Sequence, residues 1–383
     1  MNNESDFGEI RPYTDAEAVE ALRRVSRHPM LPVISKYLFP DLPAATLSHM
    51  LRGIGSIDQF QDEIMFGVVE AILAKTSKGF TCSGAEHLRG LEGQRFLAVS
   101  NHRDIVLDPA LIQYEMKLAG LPYTEICVGS NLLTGQLVED LMRSNHMIKV
   151  IRGIGARQLY LSSLRLSRYI RESITSGRAS IWIAQREGRT KNGYDTTEQG
   201  LLKMFDLSGE GGFEENFGAL NIVPMSISYE YESCDSRKAR EVLLRRGGPY
   251  TKKPKEDLHS ILTGIRLQKG HIHLEIGEPL TAEEIAVASK CEKNDRYQAI
   301  RHALDRRIVG GYRLWPTNFI AHDLLYGKTE FLDEGRYSIA DQADFLKYTA
   351  HKLGKLERRL DQAELRKLFL GIYANPVDAK REL

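Results

Sequence analysis

The spacing of apolar residues divides the chain into a helical beginning, a central part with short apolar runs, and a helical end. From Asp15 to Arg27 apolar residues recur at helical intervals, and Thr14 before them is a predicted N-cap. After about residue 80, short apolar runs alternate with helical stretches such as Ala156 to Ser176. Beyond residue 281 the pattern is helical again, most clearly from Glu292 to Val309 and from Ile339 to Phe369.

The central part contains short apolar runs that predict buried strands. These runs are Phe96–Ser100, Glu125–Val128, Ile148–Ile151, Ser180–Ala184, Ile222–Ser228 and His271–Ile276. Strands that alternate with helices favour an α/β sheet in which many strands are parallel. We therefore predict an α/β domain over residues 80–285, between an N-terminal helical segment (1–79) and a C-terminal helical extension (286–383).

Composition narrows the functional classes. The 383 residues include 52 Lys and Arg against 51 Asp and Glu, a net charge of +1, which argues against a nucleic-acid partner. The polar first residues do not resemble a secretory signal, and no apolar run is long enough to span a bilayer. The four cysteines lie far apart, which suits a reducing compartment and gives no metal-binding spacing. We therefore expect a cytoplasmic protein without a bound metal.

The segment from Ser100 to Pro109 carries the clearest chemical signal. A predicted strand ends at Ser100, and His102 follows in the turn before a predicted helix, which is where α/β sheets place catalytic groups. His102 is therefore the best-placed general base of the chain. Asp108 or Asp104 would hold the imidazole in one tautomer, and both remain candidates. The alternative interpretation is a turn in which these residues only cap the helix.

Charged residues also follow other predicted strands. Arg152 comes directly after one strand, and a second strand is followed by Glu187, Gly188, Arg189 and Lys191. The planar fork of Arg suits phosphate, and a glycine lets a ligand approach the backbone closely. Any one of these charges, taken alone, is typical of a solvated surface. Their joint placement at strand ends predicts a site for an anionic acceptor.

Four segments, in order, resemble the motifs of the glycerophospholipid acyltransferase family. The first is Asn101-His102, five residues, then Asp108-Pro109, whereas the family usually has four residues between His and Asp. The others are Met147 to Gly153, Ile181 to Lys191 and Ile222 to Glu230. In the third, Arg-Glu-Gly-Arg-Thr stands where most members have Pro-Glu-Gly-Thr-Arg, and this run is also similar to soluble plastid-type glycerol-3-phosphate acyltransferases. The resemblance covers roughly residues 80–280.

The resemblance implies a mixed sheet flanked by helices and a transferase of phospholipid biosynthesis. The enzyme would move a fatty acyl group from acyl-CoA or acyl carrier protein, its co-substrate, to glycerol-3-phosphate or 1-acylglycerol-3-phosphate, with no bound cofactor. His102 would be the base and Asp108 its partner, because Pro109 follows as in relatives, with Asp104 the alternative. The acceptor site would comprise Arg152, Glu187, Gly188, Arg189 and Lys191.

Two alternatives to a glycerol-phosphate acyltransferase remain open. One is an O-acyltransferase for another lipid acceptor, such as a lyso-amino-acid lipid, which would keep His102 and need fewer phosphate-binding charges. The other is a non-catalytic module that binds lipid or a carrier protein, which the changed spacing of the first motif favours.

A basic stretch follows the fourth motif. Its eight cations, against the single acid Glu241, are Arg237, Lys238, Arg240, Arg245, Arg246, Lys252, Lys253 and Lys255. Gly247, Gly248 and Pro249 predict a loop or hinge here. The stretch is either a solvated loop or a surface for anionic lipid head groups, acyl carrier protein or the phosphates of coenzyme A. Peripheral contact with the inner face of the cell membrane is part of the second interpretation.

Overall fold

The computed structural model describes residues 7–39, 42–91, 93–133, 135–248, 250 and 256–383. Its strands are β1 (Ser77–Ser83), β2 (Leu97–Ser100), β3 (Glu125–Gly129), β4 (Met147–Val150), β5 (Ile181–Ala184), β6 (Ile222–Tyr229) and β7 (Gly270–Ile276). They form one sheet in the order β1-β7-β6-β2-β5-β3-β4. Neighbouring strands are parallel except β6 and β7, which are antiparallel. The predicted α/β fold with a mixed sheet flanked by helices is confirmed.

The helices of the described residues are numbered in chain order. They are α1 (Asp15–Ser26), α2 (Leu31–Leu38), α3 (Ala44–Gly53), α4 (Ile57–Phe60), α5 (Phe66–Thr76), α6 (Glu86–Arg89), α7 (Leu107–Leu118), α8 (Gln136–Arg143), α9 (Ala156–Thr175), α10 (Gln199–Asp206), α11 (Phe213–Gly218), α12 (Asp235–Arg246), α13 (Glu256–Arg266), α14 (Ala282–Ser289), α15 (Lys293–Gly311), α16 (Pro316–Tyr326), α17 (Glu330–Asp333), α18 (Ile339–Leu353) and α19 (Gln362–Arg381), with a π-helix at Gln61–Met65 and a 3₁₀ turn at Ser130–Leu132. In these ranges, no helix has the length and apolar character that a bilayer crossing requires.

Both faces of the sheet are covered because its central strands are apolar on both sides. Val99 and Ile183 belong to a core formed with α9, α10, α14 and α15, whereas Ala98 and Trp182 belong to a core formed with α5 and α7. Ser100 pairs with Ala184, so β2 and β5 end level with each other. The carboxyl ends of the parallel strands therefore meet at one edge of the sheet.

Strand β1 was not predicted from the sequence. Its residues include Lys78, Thr81 and Ser83, and it lies at the edge of the sheet with each side chain half-buried or exposed. An edge strand without an apolar run gives no signal of burial. The predicted boundary between residues 79 and 80 falls within β1, and the one between 285 and 286 falls within α14.

The prediction of one continuous helix from Ile339 to Phe369 is wrong, because the chain forms two helices there. The chain forms α18, leaves the helix at Gly354, and begins α19 after Asp361. The Asp361 side chain accepts a hydrogen bond of 3.0 Å from the backbone N–H of Glu364, so it caps the new helix. The predicted N-cap Thr14 is confirmed, since its hydroxyl accepts from the backbone N–H of Glu17.

Helix α19 packs against the α/β core. The Tyr373 hydroxyl donates to Asp235 at 2.8 Å, and the Asn375 amide donates to the backbone carbonyl of Asn192 at 2.6 Å. Next to Asn192, Gly193 has a φ of 89°, and a Cβ there would lie 2.5 Å from the Ile372 carbonyl oxygen. The loop that follows β5 therefore rests directly on α19.

Replacing Gly193 with Ala is expected to destabilise the protein more than replacing Gly188 with Ala. Both glycines have a positive φ, which costs a residue with a side chain about 1–3 kcal/mol. Nothing lies within 4 Å of a Cβ at Gly188, whereas a Cβ at Gly193 collides with the backbone of α19. Urea unfolding of the two variants compares their free energies of unfolding. Equal losses would contradict the tight approach of this loop to α19.

Candidate active site

His102 lies in the turn between β2 and α7, next to a buried carboxylate. Its Nδ1 is 2.9 Å from Asp108 Oδ2, in the first turn of α7. An ionised carboxylate only accepts hydrogen bonds, so we assign the imidazole proton to Nδ1. Nε2 then keeps its lone pair and can accept a proton. Of the two predicted partners, the structure places Asp108 against the imidazole.

Asp108 is held by donors on both of its oxygens. Oδ2 also accepts from the backbone N–H groups of Arg103 at 2.6 Å and Asp104 at 2.9 Å, and Oδ1 accepts from the Tyr229 hydroxyl at 2.7 Å. Burial raises the pKa of Tyr229 well above its usual value, and the charge of Asp108 adds to the increase. Tyr229 therefore stays protonated and positions the carboxylate, a role that the sequence did not reveal.

Asp104 caps the start of α7. Its Oδ1 accepts from the backbone N–H groups of Val106 and Leu107, both at 2.8 Å, and its Oδ2 accepts from the Ser233 hydroxyl. Burial acts to raise the pKa of Asp104, but these hydrogen bonds outweigh it and the pKa is lowered. Its contacts are those of a structural carboxylate.

Two further contacts fix the turn that carries His102. The Asn101 side chain bonds both backbone groups of Ile227 on β6, accepting from its N–H at 2.8 Å and donating to its carbonyl at 3.0 Å. The backbone N–H of Thr190 donates to the His102 carbonyl at 2.8 Å. The turn is thereby tied to β6 and to the loop after β5.

Arg103 supports the same turn from inside the protein. It is fully buried, donates to Asp195 through Nε at 3.1 Å, and donates to Glu232 through Nη1 at 2.8 Å. Its Nη2 donates to the Gly193 carbonyl at 3.1 Å, and its own carbonyl accepts from Lys238 Nζ at 2.9 Å. Its partners Asp195 and Glu232 lie 92 and 129 positions away in the chain, so this network leaves no local pattern in the sequence.

His102 lines a cavity of about 1150 Å³ that has both apolar and charged walls. Phe66 and Val69 of α5, Ala110 of α7 and Ile126 of β3 are among its apolar residues. Stacked rings of Phe66 and Tyr114, with centroids 4.7 Å apart, form part of the same wall. The charged wall comes from the chain beyond β4 and β5 and from α12.

All five predicted acceptor residues line this cavity with His102. Arg152 Nη1 lies 2.8 Å from Glu187 Oε1, and Lys191 pairs with Glu241 of α12. Gly188 has a φ of 70°, a backbone conformation that favours glycine. Arg186 lines the cavity as well, although the sequence did not single it out.

The prediction of a loop for the basic stretch is wrong over residues 236–246, which belong to α12. Ala239 and Leu243 pack against the C-terminal core, so an apolar helical face lies among the charges. Of the five cations of this stretch within the described residues, four have carboxylate partners: Lys238 with Glu232, Arg240 with Glu357, Arg245 with Glu241 and Arg246 with Glu364. Lys252, Lys253, Lys255 and Pro249 lie outside the described residues.

Comparison with known proteins finds a similarity to solved structures. No family model matches the chain, and no curated protein matches it significantly. Among solved structures, the chain is similar to the 1-acyl-sn-glycerophosphate (LPA) acyltransferase PlsC from Thermotoga maritima. The identity is 13%, the match covers 76% of this chain and 93% of that chain, and the TM-score is 0.38. A similarity of this size assigns no family, so the function has to be inferred from the site itself.

Proposed function

We propose that this protein is an O-acyltransferase that moves a fatty acyl group from a thioester to a glycerol-phosphate alcohol. The acceptor would be glycerol-3-phosphate or 1-acylglycerol-3-phosphate, and the donor acyl-CoA or acyl carrier protein. The observation that carries the proposal is the 2.9 Å contact between His102 and Asp108 at the wall of a cavity with apolar and cationic surfaces. A base oriented by a carboxylate is the arrangement that acyl transfer to a hydroxyl requires.

The transfer has two steps, and the proton that His102 takes in the first step is given up in the second. His102 Nε2 takes the proton of the acceptor hydroxyl while the hydroxyl oxygen forms a bond to the thioester carbonyl carbon, which gives a tetrahedral oxyanion. The oxyanion collapses, the carbon–sulfur bond breaks, and the departing thiolate receives the proton from the imidazolium. Asp108 stabilises that imidazolium through Nδ1. The step involves no oxidation or reduction.

The charges of the cavity favour a phosphate-bearing acceptor. Its lining cations are Arg152, Arg186, Arg189, Lys191, Arg245 and Arg246, and its lining carboxylates are Glu187, Glu198 and Asp257. Glu187, Glu241 and Glu364 pair with four of these cations, so among the described residues the excess of positive charge lies on Arg186 and Arg189. A phosphate monoester carries about −1.5 to −2 at neutral pH, so it balances much of this excess. The head group of a lyso-amino-acid lipid, with its amine, matches the excess less well.

The test is an acyl-transfer assay with the purified protein. Labelled acyl-CoA and acyl carrier protein are offered with glycerol, glycerol-3-phosphate, 1-acylglycerol-3-phosphate and a lyso-amino-acid lipid. We expect acylation of the phosphate-bearing acceptors, and at least about a 100-fold loss of rate in His102→Ala, because general-base catalysis contributes that much or more. His302→Ala, which removes an exposed imidazole, is the matched control and should keep full activity.

Two outcomes would contradict the proposal. Transfer that persists unchanged in His102→Ala would exclude the base mechanism. If the wild-type protein acylates no acceptor, the alternative of a non-catalytic module that binds lipid or a carrier protein replaces it.

A further inference from the structure

The cations of the cavity differ in whether the protein itself neutralises them. Four have carboxylate partners, in the pairs Arg152–Glu187 (2.8 Å), Lys191–Glu241, Arg245–Glu241 (2.8 Å) and Arg246–Glu364. Within the part of the chain that the structure describes, Arg186 and Arg189 form no ion pair. The positive charge that the protein leaves for a ligand is therefore concentrated on two residues of the loop after β5.

Arg186 is the more unusual of the two. Its Nε is buried and has no hydrogen-bond partner among the described residues. A guanidinium stays protonated at every physiological pH, so the residue cannot avoid the cost of a buried, unsatisfied N–H by losing its charge. An anion that accepts from Nε and a terminal nitrogen would remove this cost and form a paired hydrogen bond.

The position of Arg186 allows a ligand in the main cavity to reach its side chain. It follows Ala184, the last residue of β5, by two positions, and it lines both the main cavity and a neighbouring cavity of about 200 Å³. His102 opens on the main cavity, so an alcohol whose phosphate is bound at Arg186 belongs to the same space as the base. The guanidinium therefore borders two cavities, and no acidic side chain pairs with it among the described residues.

We infer that Arg186 is a further residue of the acceptor site, beside the predicted Arg189, that binds the anionic group of the acceptor and helps to select a phosphate monoester over an uncharged alcohol. The inference rests on the proposed function for the identity of the acceptor, but anion binding by these residues can be measured without catalysis. Arg152 and Lys191, which already have internal carboxylate partners, contribute less to this selection.

The experiment is isothermal titration calorimetry of the full chain with inorganic phosphate, glycerol-3-phosphate and glycerol. We expect the wild-type protein to bind both phosphates and not glycerol. Arg186→Gln should bind the phosphates roughly 10- to 100-fold more weakly, the range expected for one charged hydrogen-bonded contact. Arg186→Lys should recover part of the affinity, since the charge returns without the planar fork. Arg168→Gln removes an exposed arginine of α9 outside this cavity and should bind like wild type.

The results separate this inference from the proposed function. Phosphate binding that is unchanged in Arg186→Gln, or absent from the wild-type protein, overturns the inference even if acyl transfer is observed. Binding that is lost in Arg186→Gln from a protein that transfers no acyl group supports the anion site and contradicts the proposed enzyme. Thermal unfolding shows whether each variant is folded. If Arg186→Gln does not fold, the test rests on Arg186→Lys, which should bind phosphate more weakly than the wild-type protein; equal affinity would overturn the inference.

Discussion

Replacing Asp108 with Asn is expected to lower kcat for acyl transfer by about 10³- to 10⁴-fold, the scale seen when a triad carboxylate is neutralised. Asp108 Oδ2 lies 2.9 Å from His102 Nδ1, where its charge fixes the tautomer and stabilises the imidazolium. A neutral amide of the same size does neither. Steady-state kinetics at saturating acceptor measure the effect, and a thermal melt shows whether the variant keeps its fold.

Asp104→Asn is the matched control for that measurement. Asp104 accepts from the first turn of α7 and from Ser233, so its loss should reduce stability while kcat falls less than about 10-fold. Equal losses of kcat in the two variants would contradict the assignment of Asp108 as the partner of His102.

Replacing Arg103 with Met is expected to lower the free energy of unfolding by about 3–5 kcal/mol, because it leaves the buried Asp195 carboxylate without a cation and leaves Glu232 with Lys238 alone. Asp195 and Glu232 both accept from Arg103, and all three side chains are buried. Urea unfolding measures the loss. Activity should fall in the same variant, since the turn with His102 loses the contacts of the guanidinium with the Gly193 carbonyl and with Asp195.

Arg23→Met is the control for the Arg103 variant. Arg23 pairs with Glu20 three positions earlier, and both side chains are exposed. Exposed ion pairs contribute about 0–1 kcal/mol, so this variant should unfold almost like wild type. A similar loss in both variants would show that the buried network contributes little.

The fold could be predicted where burial leaves a mark on the sequence. Strands such as Leu97–Ser100, which lie inside the sheet, are apolar at nearly every position. Edge strand β1 is polar and gives no burial signal. The charges of α12 hide its helical pattern, and two of its cations, Arg240 and Arg246, pair with carboxylates more than 100 positions away. Such pairs depend on the folded chain and leave no local pattern.

In the candidate active site, too, residues at strand ends could be predicted from the sequence, whereas contacts between distant residues could not. His102, Arg152 and Glu187 line one cavity because each follows a parallel strand, and those strands end at one edge of the sheet. The choice between Asp104 and Asp108 depends on side-chain direction within one helical turn, which spacing does not determine. Tyr229 and the buried partners of Arg103 depend on contacts between residues far apart in the chain.

The contact between α19 and the loop after β5 also means that the site is completed late during synthesis of the chain. The Gly193 carbonyl accepts from Arg103, and the neighbouring Asn192 carbonyl accepts from Asn375. A growing chain therefore contains His102, Asp108 and every predicted acceptor residue long before the ribosome reaches the helix on which their loop rests. Until residue 375 has emerged from the ribosome, a nascent chain would contain all of these residues without the helix that holds their loop in place.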